Sequence, residues 1–320
     1  MNRLLILPLL LTAVSSLQAQ LSYARISVPG AVATEARGIN NSGEIVGFYK
    51  TVACTDTDIT VPNCPTKGFK YVNKTYVKLM VPNSKSTAIM GVNDLGDLVG
   101  FYVKSDGTSH GFLWLHTNVV KNIDFPDFVR AGFPTVPMAI NKAGAIVGGL
   151  WRINLVASFP VAGFVWKNGT FTEVQFGTSP DCCTSVNGIS NSGITSGEFD
   201  HLCSTCTSIF TVGFLKAGKD FDFFKYQGGN TRFTGVNNNT DILGFAFGGQ
   251  FGRPTIKAGF WAKHIEWGEG TNDSNEVKPA FILLSFPAGH STVPFAINDV
   301  RGIVGTYVDS SGKQQGFLAK

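Results

Sequence analysis

Charge is scarce in this chain: only 15% of its 320 residues are Asp, Glu, Lys or Arg, and the formal net charge is +4. No run of Lys or Arg is dense enough to track a phosphate backbone, so nucleic acid is not an expected partner. Histidine is scarcer still, with five residues (His110, His116, His201, His264 and His290), no two of them at a metal-ligand spacing such as H-E-x-x-H. Each reads as a surface or loop residue. The chain also lacks a G-x-S-x-G nucleophile elbow, a phosphate-binding P-loop and a D-x-D-x-D-G calcium loop. Nothing in these patterns asks for a cofactor or a metal. Apolar residues at helical spacing are missing beyond the first 20 residues, which argues against a helical fold. What the chain has in abundance is Phe, at 26 residues, and Gly, at 37, the makings of a globular, turn-rich protein.

Met-Asn-Arg, the apolar run Leu4 to Leu11 and the small residues ending at Ala19 follow the three-part order of a secretory signal peptide. The run is too short to serve as a membrane anchor. Residues 1–19 are therefore expected to be a cleaved leader, residues 20–320 a single exported domain, and the mature chain a monomer in the periplasm or outside the cell.

One motif is written six times. Gly38-Ile-Asn-Asn-Ser-Gly-Glu-Ile-Val-Gly47 returns in copies that end at Gly100, Gly148, Gly197, Gly244 and Gly305. Most copies start about 48 residues apart, a period that marks a repeat architecture. Each is followed by a Gly-Phe pair: Gly68-Phe69, Gly111-Phe112, Gly163-Phe164, Gly213-Phe214, Gly259-Phe260 and Gly316-Phe317. Within the first copy four short strands are expected, at Thr34 to Ile39, Glu44 to Tyr49, Gly68 to Val72 and Tyr76 to Val81. Asn40 should fold its side chain onto turn N–H groups while Gly43 takes the positive φ of a tight hairpin. Thr240 and Arg301 replace that Gly in copies five and six, so those two hairpins are expected to turn differently.

Small residues recur in strand one at Gly38, Gly91, Ala139, Gly188, Gly235 and Ala296, as they must where six strands converge on one axis. The sixfold Gly of strand two is expected to let a neighbouring sheet approach closely. The paired Phe should then fill the space between sheets. Tyr23 to Pro29 matches a fourth strand, as in Tyr76 to Pro82, yet it precedes the first motif, and the last repeat stops at Gly316-Phe-Leu-Ala-Lys320 without one. The N-terminal strand can complete the C-terminal sheet. The fold class is therefore all-β, a six-bladed β-propeller of four-stranded antiparallel blades closed by that strand. An open solenoid would need polar caps at its ends, and none is apparent.

Six cysteines in an exported chain suggest three disulfides. Cys54 and Cys64 share one loop and are expected to pair. Cys182, Cys183, Cys203 and Cys206 lie on two connections of the fourth repeat that emerge on one face, so two bridges between them are feasible. A four-cysteine zinc site is the alternative, disfavoured by the oxidising destination and the lack of a second C-x-x-C pair.

The spacing from Gly38 through Tyr49 to a small-residue-Phe pair resembles the HAF repeats of bacterial extracellular proteins. His110-Gly-Phe-Leu-Trp114 is the closest stretch, similar to their His-Ala-Phe-Leu-Trp signature with Gly in place of Ala. The resemblance implies a bacterial, exported repeat protein and brings no catalytic residues with it. The S-x-D-x-G-x-T-W boxes of sialidase-like propellers are absent.

If a ligand site exists, the mouth of the central channel is the expected place, lined by the connections into the innermost strands. These offer Glu35, Lys85, Arg130, Asp181, Arg232 and His290, one from each repeat. A solvated rim explains the same charges. Glu35 and Asp181 fall on opposite blades, too far apart to flank one glycosidic bond. Aromatic residues such as Trp151, Phe251 and Trp267 could stack on a ligand. The reading is a noncatalytic extracellular module that binds a polysaccharide, an envelope component or a protein. A carbohydrate-active enzyme is the alternative, and a close pair of carboxylates with perturbed pKa values in one concave site would favour it.

Overall fold

The computed structural model describes residues 21–53, 65–126, 133–153, 158–175, 183–202, 209–226, 229–248, 255–263 and 281–320. Its strands are short because Gly, Asn and Asp punctuate them, and they alternate with tight turns throughout. After β1 (Tyr23–Ile26), blade one contains β2 (Ala33–Ile39), β3 (Ile45–Lys50), β4 (Thr66–Val72) and β5 (Thr75–Leu79). Blade two contains β6 (Ser84–Val92), β7 (Leu98–Lys104), β8 (Ser109–Trp114) and β9 (Val120–Ile123). Blade three contains β10 (Thr135–Ile140), β11 (Ile146–Ile153), β12 (Ser158–Lys167) and β13 (Thr170–Val174). Blade four contains β14 (Thr184–Ile189), β15 (Thr195–Leu202), β16 (Ile209–Ala217) and β17 (Asp220–Phe224). Blade five contains β18 (Asn230–Val236), β19 (Ile242–Gly248), β20 (Thr255–Ala262) and β21 (Phe281–Leu284). Blade six contains β22 (Gly289–Ile297), β23 (Ile303–Asp309) and β24 (Gln314–Ala319), and its fourth strand is β1.

The chain is a six-bladed β-propeller, and its first and last described strands pair. β1 runs antiparallel to β24 with Tyr23 opposite Ala319 and Ile26 opposite Gly316. Ser22 and Lys320 exchange backbone hydrogen bonds just beyond the ladder (2.8 and 3.0 Å). Closure removes an edge on each side that would otherwise stand open to another chain.

The first strand of each blade lines the axis. A Cβ built on Gly38 would lie 3.1 Å from the Gly91 Cα, and one on Gly188 only 2.8 Å from the Gly235 Cα, so the hub has no room for bulk. Each first strand also carries one unpaired extra residue, between Ala36 and Gly38 in blade one and at the equivalent place in the other five. Such a bulge sharpens the local twist where the strands crowd together.

The strand-two Gly has a different task from the one the sequence suggested. A Cβ on Gly47 would sit 1.9 Å from the Glu35 carbonyl oxygen of its own blade and 3.0 Å from the Phe69 ring, its cross-strand partner. The close approach is therefore within the blade, where the Glu35 carbonyl and the Phe ring occupy the space. The Gly of the Gly-Phe pair is the one that admits the neighbouring sheet: a Cβ on Gly68 would meet Ile89 of blade two at 2.8 Å. The six paired Phe residues, Phe69, Phe112, Phe164, Phe214, Phe260 and Phe317, are all fully buried. Each packs against residues of the preceding blade, Phe112 on Val46 and Phe164 on Val99 for example, and contributes about 1.5–3 kcal/mol by burial.

Candidate functional site

The hairpins joining strands one and two gather at one end of the axis. Asn40 Oδ1 accepts the Glu44 N–H (3.0 Å), as the turn chemistry requires. Its amide does something the repeat pattern did not announce: Nδ2 donates to the Asn93 carbonyl of the next blade (3.1 Å). Asn93 reaches Asn141 in the same way, Asn141 reaches Ser190, Asn237 reaches Asn298, and Asn298 returns to Asn40 (2.9–3.3 Å). The ring has five links. The sixth is missing because Ser190 has no amide with which to reach Asn237.

A second ring lies beside the first. The backbone N–H groups of Asn41, Lys142, Asn191, Asn238 and Asp299 donate to the side chains of Asp94, Asn191, Asn238, Asp299 and Asn41, respectively (2.7–2.9 Å). This ring is open after Asp94, where Lys142 supplies an ammonium in place of an acceptor. The two rings narrow the axis to a polar cavity of about 70 Å³ lined by all six turns. That volume has room for about two water molecules and none for a sugar ring.

Gly43 adopts φ +83°, and Thr240 and Arg301 adopt +58° and +63° at the equivalent places. Hairpins five and six therefore make the same turn as the others, contrary to the expectation, and each carries a strained left-handed residue. The ring of inter-blade hydrogen bonds overrides the local preference of Thr and Arg. Arg301 also reaches back to blade five, where its Nε and Nη2 donate to Asp241 (2.9 and 3.3 Å), a fully buried carboxylate that also accepts from Asn237. Between these two hairpins opens a shallow cleft of about 620 Å³, lined by Asn238, Asn239, Thr240, Asp299, Val300 and Arg301. Val300 projects there, 74% exposed.

Of the residues expected at the channel mouth, the described ones, Glu35, Lys85, Arg232 and His290, lie at the other end and do not converge. Glu35 is buried and paired with Arg37 of its own strand (2.5 Å), whose guanidinium lies 3.8 Å over the Phe295 ring. Lys85 is exposed, and so is His290, whose nearest polar partner is its neighbour Ser291. Arg130 and Asp181 fall outside the described residues, as do Cys54, Cys64, Cys182, Cys203, Cys206, Phe251 and Trp267. Cys183 is buried just ahead of β14, its carbonyl accepting the Asp200 N–H (2.9 Å). Trp151 is half-buried and folds over Gly149, whose added Cβ would lie 3.1 Å from its Nε1.

Arg232 leads to a cluster that the sequence reading passed over. It crosses the seam between blades four and five to Glu198, with Nε 2.7 Å from Oε2 in an ion pair poorly aligned for a hydrogen bond. Asn187 Nδ2 also donates to Glu198 (2.9 Å), and Thr211 donates to Asp200 (2.6 Å). Ser196, Glu198 and Asp200 alternate along β15, so they share the face turned toward blade five. Other blades place Val46 and Phe48, or Val99 and Phe101, at these positions, buried and apolar. Burial pushes the Glu198 carboxyl up to about 7, with Asp200 adding to the rise and Arg232 opposing it. Burial raises Asp200 as well.

No family model matches the chain, and no curated protein matches it. Among solved structures it is similar to the β-propeller domain of the Trilobed protease from Pyrococcus furiosus, at 10% identity and a TM-score of 0.52. The alignment covers 93% of this chain and 81% of that one. That domain is described as having an open velcro topology. A mutant Aleuria aurantia lectin in complex with alpha-methyl-L-fucoside aligns at 10% identity and a TM-score of 0.47, over 92% of this chain and 93% of that one. The first likeness shows the fold alone, and the second is too distant to carry an argument.

Proposed function

We propose that this chain is a noncatalytic exported propeller that binds a polysaccharide across its hairpin face. The cleft between hairpins five and six carries the reading. It is large enough for one or two sugar rings, and Asn238, Asn239, Asp299 and Arg301 supply planar donors and acceptors to ligand hydroxyls. Exposed Val300 offers an apolar contact beside them. The inter-blade hydrogen bonds hold these turns before any ligand arrives, which lowers the ordering cost of binding. Export, membership of the HAF-repeat proteins and three disulfides belong to the same proposal. A free-thiol count of zero on the purified mature chain supports the disulfides, and four free thiols with bound zinc would replace them by a metal site.

A carbohydrate-active enzyme is the second reading, favoured by the raised carboxylates Glu198 and Asp200. Their burial beneath Arg232 argues for a held charge cluster over an acid and base open to substrate. A glycan array probed with the mature chain, followed by incubation with the best-bound polysaccharide, separates the two. Binding without shortening of the polymer, lost for a neutral glycan in Asn239→Ala, supports the module. Shortening of the chains defeats it.

A further inference from the structure

The seam between blades four and five stands out because it exchanges an apolar contact for charge. We propose that Arg232 and Phe247 form a second binding subsite, at the end of the axis opposite the hairpins, for the carboxylate of an acidic sugar, with Glu198 competing for the same guanidinium. The proposal rests on the polysaccharide-binding reading and adds a ligand class and a separate place.

Three observations build the site. First, the Arg232 side chain bridges inside and outside: it is 31% exposed while its partner Glu198 is 3% exposed. Nε faces the buried acid, and the two terminal nitrogens have no protein partner among the described residues. A guanidinium presented in this way offers a planar fork that fits a carboxylate with two hydrogen bonds. Second, aromatic rings stand beside it. The Arg232 guanidinium carbon lies 5.5 Å from the Phe245 ring centre and 5.7 Å from that of half-buried Phe247. Such a ring gives the apolar face of a sugar a surface next to the charge. Third, the local charges do not balance. The ionisable groups that face one another across the seam, among the described residues, are Glu198 and Asp200 on β15 and Arg232 on β18; Asn187 on β14 and Thr211 on β16 contribute neutral contacts. Two carboxylates and one guanidinium in a buried place favour taking up one proton.

These facts set the sign of the pH dependence. When Glu198 is ionised it holds Arg232, and when it is protonated the guanidinium is released to a ligand. A sugar carboxylate stays ionised throughout, since carboxylates of this kind titrate near 3.5. With Glu198 titrating at about 7, its protonated fraction falls by about tenfold between pH 6 and pH 8, and affinity should fall with it.

The test uses the full mature chain and immobilised polygalacturonate, with neutral dextran as the control polymer. Wild type should bind polygalacturonate about tenfold more tightly at pH 6 than at pH 8 and should prefer it to dextran. Glu198→Gln should bind at pH 8 as tightly as wild type does at pH 6, with the pH dependence gone. Arg232→Ala alone would strand a buried carboxylate and could unfold the seam. The double variant Glu198→Gln/Arg232→Gln avoids this, and at pH 8, where Glu198 is mostly ionised, it leaves the net charge nearly unchanged, so loss of binding there reports the site and not long-range attraction. Binding that survives the double variant, equal affinity for dextran, or weaker binding at pH 6 than at pH 8 would each overturn the proposal. Asn239→Ala should leave polygalacturonate binding intact. If Asn239→Ala abolishes it and the double variant does not, the hairpin cleft stands and this subsite falls.

Discussion

Replacing Glu198 by Gln should make the protein more stable at pH 8, although the change removes one half of an ion pair. Burial lifts the carboxyl from 4.5 to about 7. Between those values the folded chain keeps a proton that the unfolded chain releases, so the contribution of this group is most favourable below about pH 4.5 and is lost as pH rises toward 7. Two and a half pH units correspond to about 3 kcal/mol at 1.36 kcal/mol each, and that figure already includes the attraction of Arg232. In a chain of this size it amounts to about 5 °C in melting temperature. Asp200, raised by the same burial, adds a contribution of the same sign. Thermal and urea unfolding of wild type and Glu198→Gln at pH 5, 6, 7 and 8 measures the effect. The two proteins should be close at pH 5 and should diverge steadily above it. A constant offset across that range, or a variant less stable than wild type at pH 8, would refute the assignment of a buried, destabilised carboxylate.

Five further substitutions probe the turns and the close-packed glycines. Thr240→Gly should stabilise by about 1 kcal/mol in urea unfolding by relieving a left-handed Thr, whereas Arg301→Gly should destabilise by about 3 kcal/mol because buried Asp241 loses its partner. Ser190→Asn should supply the missing amide link to Asn237 and add about 1 kcal/mol, visible as slower hydrogen exchange at turns four and five. Gly47→Ala should cost more than 2 kcal/mol, because its Cβ would meet the Glu35 carbonyl oxygen at 1.9 Å, while Gly30→Ala, with open space around it, should cost only the strain of its +79° φ.

Much of the architecture was legible because it repeats. Six copies fix the blade count, the Gly-Phe register exposes the buried aromatic layer, and the displaced strand at Tyr23 to Pro29 gives the closure. What repeats without a side-chain signature was harder to read. The bulge in every first strand adds one residue and breaks the period-two alternation, so the two repeated glycines could not be assigned to their separate neighbours. The Asn amide that bridges blades looks in sequence like an ordinary turn Asn. A repeated threonine near the start of strand one did carry a signal: Thr34, Thr87, Thr135, Thr231 and Thr292 accept the backbone N–H groups of Val28, Val81, Phe125, Tyr226 and Phe286 (2.8–3.1 Å). The charged seam carried one too. Copy four reads Thr195-Ser196-Gly197-Glu198 where copy one reads Ile45-Val46-Gly47-Phe48, the one copy with no apolar residue just before the Gly.

That departure is coordinated, which decides how it should be understood. Ser196 and Glu198 stand where copies one, two and five carry Val46 and Phe48, Val99 and Phe101, and Leu243 and Phe245; Asp200 follows on the same face, and Arg232 and Asn187 contact Glu198. Buried ion clusters of this kind are seldom better for stability than apolar residues of similar volume. The seam between blades two and three provides the comparison, with Val99, Phe101 and Val103 buried and Phe101 packed with Val136. Copying it into blades four and five, as Ser196→Val, Glu198→Phe, Asp200→Val and Arg232→Val together, should raise stability at pH 8 by about 1–4 kcal/mol and abolish binding of polygalacturonate. Gain of stability with loss of binding means that the charges are retained for a ligand at the expense of the fold. If the fourfold variant is instead less stable than wild type from pH 5 to pH 8, the cluster is there to hold the blades together, and the acidic-sugar subsite loses its reason to exist.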